Sequence, residues 1–424
     1  MCLLPLFYCQ NSMGGAADLD IRVVLLLIAE AALALLLLRL SGVLPTAKHV
    51  LVSAGLLAAA FVLRGLCLPY ETLDYQNFLA VWVDFFRQNG GLSALGMPVG
   101  TYNVPYLFFL ALFSRSPIPD LYLIKLLSSF FDVVLAWAAM QLAGRFVRSP
   151  ARRLACFFLV LFWPTVVLNG ALWGQCDSIY TAFAVLSVWL VLAGHPALGM
   201  ASIAAAFSFK LQAVFVLPVF LLFLLVRRVK LRHVLVFPAV CVILVLPAVL
   251  AGRPLWEALT ISLSQTGSIG DGLNYNSPSV FALFSNVQNP ALAGKLGILA
   301  AALVIVLLAI LIWKRRDACS DRALLIAAVL LAAAIPFFLP HMHDRYFFAA
   351  DILTLTLAVV DLRLAPLPLL CEFASLLGYH AYLQMRYLLP MSYGAGALIV
   401  VLAILAAALL AALFSPDKKL RGSA

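Results

Sequence analysis

Uninterrupted apolar runs long enough to cross a lipid bilayer constrain this sequence more than any other feature. Leu296–Trp313 and Ser392–Phe414 contain no charged residue at all, and a helix crosses the hydrocarbon core with roughly 20 apolar residues. Further runs lie at Ile21–Leu40, Val50–Leu68, Leu121–Leu142, Leu154–Leu168, Ile179–Leu192, His233–Leu250, Ala323–Phe338, Phe347–Leu364 and Pro366–His380. With 65% hydrophobic and 11% charged residues in 424, no aqueous core could hide these side chains. The same composition excludes a disordered chain and a disulfide-stapled secreted scaffold. Only helices and closed barrels satisfy every backbone group inside a bilayer, and runs of this length select the helix. The expected fold is an all-α, polytopic bundle of about 11–13 spans.

Two stretches complicate the count. Ala197–Val226 carries Lys210 near its middle, which reads as two short spans meeting at that lysine. Val104–Phe113 reads either as a half-helix or as a span of its own. As domains, the sequence divides into a prefix 1–20, one transmembrane unit 21–414 with a loop at 69–105, and a basic tail 415–424. No basic segment precedes an apolar one at the start, so no cleaved leader is expected.

The net charge of +10 is concentrated in short clusters between spans: Arg145/Arg148/Arg152/Arg153, Arg227/Arg228/Lys230/Arg232, Lys314/Arg315/Arg316/Arg322 and Lys418/Lys419/Arg421. Such clusters mark cytoplasmic loops, whereas a nucleic-acid binder carries a continuous basic face; no nucleic-acid partner is expected. The eight cysteines stand singly with no metal-ligand spacing, which makes them packing residues.

Placing the basic clusters inside puts six polar segments on the opposite, outer side: Asp74, Tyr102/Asn103, Trp173–Asp177, Lys210/Gln212, Asn274–Ser279 and His341–Arg345. Ionisable residues at membrane depth are functional candidates by default, and convergence on one face points to one site. Tyr75, Phe78, Trp82, Phe85 and Phe86 recur at near-helical spacing, as in a helix lying in the interface. Asp74 before it reads either as its N-cap or as a general base. Asp177 reads either as an N-cap or, with Gln175 beside it, as a hydrogen-bonding partner of sugar hydroxyls. Lys210 at a helix break suits a phosphate, against a snorkelling alternative. The segment HMHDRYFF, His341–Phe348, offers metal ligands or, with Arg345 repelling a cation, an anion site of His341, His343 and Arg345. Asn276 and Ser277 stand in a loop suited to an acceptor hydroxyl or to helix capping. No Walker, dinucleotide-binding or DxD element is present, which leaves a soluble nucleotide donor unsupported.

Together these segments resemble the GT-C superfamily of integral-membrane glycosyltransferases, in particular bacterial relatives of the second mannosyltransferase of GPI-anchor assembly. The resembling elements are LDYQNFLAVW (Leu73–Trp82), TYNVPYLFFL (Thr101–Leu110), IKLLSSFFD (Ile124–Asp132), NGALWGQCDSIY (Asn169–Tyr180), SFKLQAVFVLP (Ser208–Pro218), NSPSVFAL (Asn276–Leu283) and PHMHDRYFFAADIL (Pro340–Leu353). The resemblance implies inverting transfer of a sugar from a polyprenyl-phosphate donor to a glycan, lipid or protein acceptor. It implies a catalytic base at Asp74, with Asp177 as competitor, and donor-phosphate contacts from Lys210, Gln212, His341, His343 and Arg345. Asp344 departs conservatively from a glutamate in related sequences. Sugar or acceptor contacts are assigned to Tyr102, Asn103, Trp173, Gln175, Asp177, Asn276 and Ser277. A lipid phosphate leaves as an anion that cationic side chains stabilise, so no metal or other cofactor is expected. The implied location is the bacterial cytoplasmic membrane, among its lipids, with the site facing outward. The alternative function is a transporter or flippase of lipid-linked sugar or small solutes; such proteins place polar residues near the midplane between repeated halves, and no internal repeat is evident.

Overall fold

The computed structural model describes residues 20–268, 272–284 and 286–414. Nearly all of the amino-terminal prefix, the basic tail with Lys418, Lys419 and Arg421, and Asp271 lie outside the described residues.

The fold is helical throughout. In chain order the helices are α1 (Ile21–Leu40), α2 (Ala47–Cys67), α3 (Ala80–Gln88), α4 (Val104–Phe113), α5 (Asp120–Gly144), α6 (Pro150–Leu161), α7 (Pro164–Val167), α8 (Asp177–Leu192) and α9 (Pro196–Phe209). They continue with α10 (Val219–Leu225), α11 (Leu231–Val234), α12 (Val236–Leu250), α13 (Leu255–Ser268), α14 (Pro290–Lys314), α15 (Asp321–Phe338), α16 (Phe348–Val360), α17 (Pro366–Leu383) and α18 (Met391–Phe414). Among the described residues eight helical segments are long and apolar enough to cross a membrane, α11 and α12 together forming one of them. A ninth arises if α6 and the segment Pro164–Trp173, bent by 46° at Pro164, count as one span. The apolar helices α4, α8, α9, the segment Leu211–Leu225 and α16 are shorter, at 10–17 residues, so among the described residues the segments of spanning length number fewer than the 11–13 expected from the sequence.

Burial separates central spans from peripheral ones. The spanning window of α15 is 83% buried and that of α5 72%, against 22% for α1 and 11% for the α11–α12 span. The peripheral helices display Leu25, Leu250, Leu299 and Leu307 outward, the surface expected against lipid. Central helices tolerate short lengths and breaks because neighbouring protein, not lipid, surrounds their ends. The break in Ala197–Val226 falls at Lys210, which has an extended backbone (φ −153) between α9 and a 3-10 turn, Leu211–Phe215.

Among the described residues, two π-helical turns and one pair of short strands interrupt the regular α-helices. A π-helical turn, Tyr75–Leu79, leads into α3; together they form the amphipathic segment expected after Asp74, burying Leu79, Trp82, Val83 and Phe86. A second π turn, Leu168–Trp173, follows α7 and ends in Gly174 at φ +80, a conformation glycine adopts freely. Two short strands, β1 (Asn274–Tyr275) and β2 (Met342–His343), pair in parallel, with Asn274 opposite Met342 and Tyr275 opposite His343.

Candidate active site

Asp74 does not cap the helix that follows it: its side chain makes no capping bond. Instead the carboxylate turns toward the second π turn, where Oδ2 accepts from Trp173 Nε1 at 2.9 Å and Gln175 Nε2 at 2.7 Å. The two loops are tied again by Thr72 Oγ1, which donates to the Trp173 carbonyl at 3.1 Å. Tyr102 OH donates to Gln175 Oε1 at 3.1 Å, so one amide side chain links the Asp74 loop to the start of α4. Trp173 stacks on Tyr382 of α17, ring centroids 4.2 Å apart and planes within 13°.

Asp177 opens α8 and is 1% exposed. Its Oδ1 lies 2.5 Å from Lys210 Nζ, and its Oδ2 lies 2.8 Å from Asn169 Nδ2 and 3.6 Å from Arg345 Nε. Lys210, 6% exposed, does not snorkel outward; it sits over the Tyr102 ring, 5.8 Å from the centroid. The Arg345 guanidinium lies over the Trp173 ring at 5.1 Å and donates to Asp344 Oδ1 at 3.3 Å.

The β1–β2 pairing delivers the histidine segment. His343 stacks on Tyr275, centroids 4.8 Å apart. Asn276 and His341, at the edges of the pairing, hold φ of +56 and +61. Positive φ in residues other than glycine is costly and persists only where the surroundings impose it. Here His341 is anchored by its N–H to the Leu273 carbonyl at 2.8 Å and by Nδ1 to the Gly272 carbonyl at 2.7 Å. Burial, then the Arg345 and Lys210 cations, push the His343 imidazole down to about 3. Burial pushes the Asp344 carboxyl up to about 7, against the pull of Arg345. At neutral pH the histidine is therefore a neutral hydrogen-bonding ring, and the positive charge resides on Lys210 and Arg345.

These elements border a cavity of about 570 Å³. Of the residues expected from the sequence, Asp74, Tyr102, Asn103, Gln175, Lys210, Gln212, His343 and Arg345 line it. Gln212 Oε1 is buried there without a hydrogen-bond partner. Trp173 and Asp177 stand behind the wall, holding Asp74 and the two cations. His341 faces the β1 loop, Asn276 Oδ1 accepts from Tyr387 OH at 2.5 Å, and Ser277 is fully buried; none of the three lines the cavity.

Sequence reasoning did not assign Phe78, Trp82, Tyr275, Asp344, Tyr346 and Tyr382, which also line it. Tyr382 sits in an apolar span with no motif around it. The available signal was Tyr379 three residues earlier on the same helical face; both rings meet Trp173. Among the described residues no cluster of three or more His, Cys, Asp or Glu side chains forms a metal-holding group.

Comparison with known proteins identifies the family. The model of Glycosyltransferase family 87 matches residues 101–340, more than half of the chain, and no curated protein matches it. The matched stretch contains Tyr102, Trp173–Asp177, Lys210 and Gln212, while Asp74 and His341–Arg345 lie outside it. The transport alternative gains nothing from such a match. A helical membrane bundle with this family match is an integral-membrane enzyme of GT-C type, and the chain belongs to glycosyltransferase family 87.

Proposed function

We propose that this glycosyltransferase takes a hexose, mannose first among the candidates, from a polyprenyl-phosphate carrier and transfers it with inversion. The acceptor is a hydroxyl of a glycan, lipid or protein at the outer face of the bacterial cytoplasmic membrane. One observation carries the reading: a carboxylate held by neutral donors (Asp74) and two cations held by a buried carboxylate (Lys210 and Arg345) border the same cavity.

In this reading the acceptor oxygen bonds to the anomeric carbon while its proton passes to Asp74, positioned by Trp173 and Gln175. The bond from the anomeric carbon to the phosphate oxygen breaks, and the electron pair leaves on the phosphate. Lys210 and Arg345, both largely buried, offset the added negative charge, and such contacts are strongest away from bulk water. His343, neutral, donates a hydrogen bond to a phosphate oxygen. Trp82 and Tyr102 offer aromatic faces to the sugar. Because side chains meet the leaving-group charge, turnover is expected to survive a chelator.

The test is transfer, or release to water, from labelled polyprenyl-phosphate mannose, glucose and galactose, and from the nucleotide-linked forms of the same sugars, by the full chain in proteoliposomes, with Asp74→Asn in parallel. Turnover by the wild type and its loss in a folded Asp74→Asn protein support both donor and base. Wild-type turnover in the variant removes Asp74 from the base role, and transfer only from nucleotide sugars overturns the carrier.

A further inference from the structure

The mechanism leaves the buried cation Lys125 unused. Lys125 lies on α5 and is fully buried, yet its partners are carbonyls, not a carboxylate. Its ammonium donates to the Cys67 carbonyl at 3.1 Å, the Leu68 carbonyl at 3.0 Å and the Tyr70 carbonyl. These belong to the end of α2 and the first residues beyond it. The last carbonyls of a helix lack partners within it, and the helix dipole favours a cation there. All three donors of the ammonium are thus spent on the chain four to seven residues before Asp74.

The rest of that face of α5 points the same way. Ser128 Oγ donates to the Gln175 carbonyl at 2.7 Å. Asp132 accepts from Ser178 Oγ and from Arg64 at 2.8 Å. Residues 125, 128 and 132 follow the i, i+3, i+7 spacing of one helical face. At the head of the same helix Asp120 accepts from Tyr75 OH at 3.3 Å. The helix therefore grips the chain on both sides of Asp74, and also the backbone of Gln175, whose side chain holds the Asp74 carboxylate at 2.7 Å.

We propose that Lys125 is a positioning residue for the transfer reaction: by fixing the chain at Cys67–Tyr70 it sets the Asp74 carboxylate against Gln175, with Ser128 fixing the other side of that contact. The inference rests on the reading of Asp74 as the base. A displacement of about 1 Å in a reacting group lowers rates up to about 100-fold, while the donor's phosphate contacts at Lys210 and Arg345 stay untouched.

The experiment compares Lys125→Met, Lys125→Arg, Ser128→Ala and Asp74→Asn in the full chain, with polyprenyl-phosphate mannose as probe and folding checked by thermal unfolding. Lys125→Met is expected to lose about 10- to 100-fold in kcat with KM changed less than about threefold. Lys125→Arg, which keeps charge and donors, is expected to recover most of that loss. Ser128→Ala, which deletes one hydroxyl, decides the question if Lys125→Met does not fold: a fall in kcat alone supports the proposal, and an unchanged kcat overturns it. Hydrogen exchange adds a readout without turnover. Faster exchange in Lys125→Met confined to residues 68–79 supports the proposal; unchanged exchange there, or a rise spread evenly over α2 and α5, overturns it. Wild-type kcat in a folded Lys125→Met, with Asp74→Asn inactive, overturns the role of Lys125 alone. Wild-type kcat in Asp74→Asn overturns the base reading instead.

Discussion

Lys210 Nζ lies 2.5 Å from Asp177 Oδ1, and that contact separates the two acidic residues that the sequence leaves as rivals. Asp177 has both oxygens engaged, by Lys210 on one side and by Asn169 and Arg345 on the other. Asp74 is held by neutral donors, the Trp173 indole and the Gln175 amide both reaching the same oxygen, and it borders the cavity. One carboxylate thus holds cations, while the other borders the cavity, which the proposed function gives to the acceptor.

The two residues are expected to fail differently. Asp74→Asn should keep the wild-type unfolding temperature and lose about 10²- to 10⁴-fold in turnover, the usual contribution of a general base. Asp177→Asn strips a buried pair of its anion, a change worth about 3–5 kcal/mol of stability. Thermal unfolding of both variants beside the transfer assay distinguishes them, and an Asp177→Asn protein as stable as wild type would contradict the assignment.

Opposed trends with pH are expected at the histidine segment. His343 is depressed to about 3 from its ordinary 6.5, so its contribution to stability is complete above about pH 6.5 and is lost as pH falls toward 3. Asp344 is raised to about 7 from 3.8; its contribution is complete below about 3.8 and is lost as pH rises through 7. Between about pH 4 and 7 the two offset each other. Asp344→Asn should therefore steepen the gain in stability as pH rises across that window, and His343→Gln should reverse its sign. Unfolding temperatures measured at several pH values would show parallel curves if neither group is perturbed.

Gly378 on α17 is where the paired loops press against the bundle. A Cβ built there would stand 2.6 Å from the Asp344 carbonyl oxygen and 2.8 Å from that of Asn276, and both are backbone atoms that cannot swing aside. Gly378→Ala should cost about 1–3 kcal/mol, as overpacking does, and displace His343–Arg345. A raised donor KM with a lowered unfolding temperature is the expected pair of results; wild-type values of both would show that the loops yield freely.

Arg64 and Asp132 form a fully buried ion pair at 2.8 Å between α2 and α5. Removing Asp132 alone, as Asp132→Leu, strands a guanidinium and should cost about 3–5 kcal/mol, whereas Arg64→Met combined with Asp132→Leu should recover much of it. Thermal unfolding of the single and double variants tests this. Equal losses in both would mean that the pair contributes through its hydrogen bonds to the Leu161 carbonyl and to Ser178.

The sequence by itself determined the class of this protein. Apolar runs near the bilayer thickness, free of charge and bounded by basic clusters, permit only a helical membrane bundle. Lys210 inside such a run marked the helix break, because an extended segment at a buried charge is the cheaper arrangement. Most of the cavity-lining polar residues were visible for the same reason: a polar side chain amid apolar ones stands out. Tertiary structure decided what the local pattern leaves open. Asp74 and Asp177 each precede or open a helix and read alike in sequence. Their difference arises from partners 99 and 101 residues away for Asp74 and 33 residues away for Asp177. The pairing of the Asn274 and His341 segments, the aromatic wall from Tyr382 and the carbonyl grip of Lys125 arise likewise. Each depends on which helices pack together, and side-chain periodicity along one helix carries no record of its neighbour.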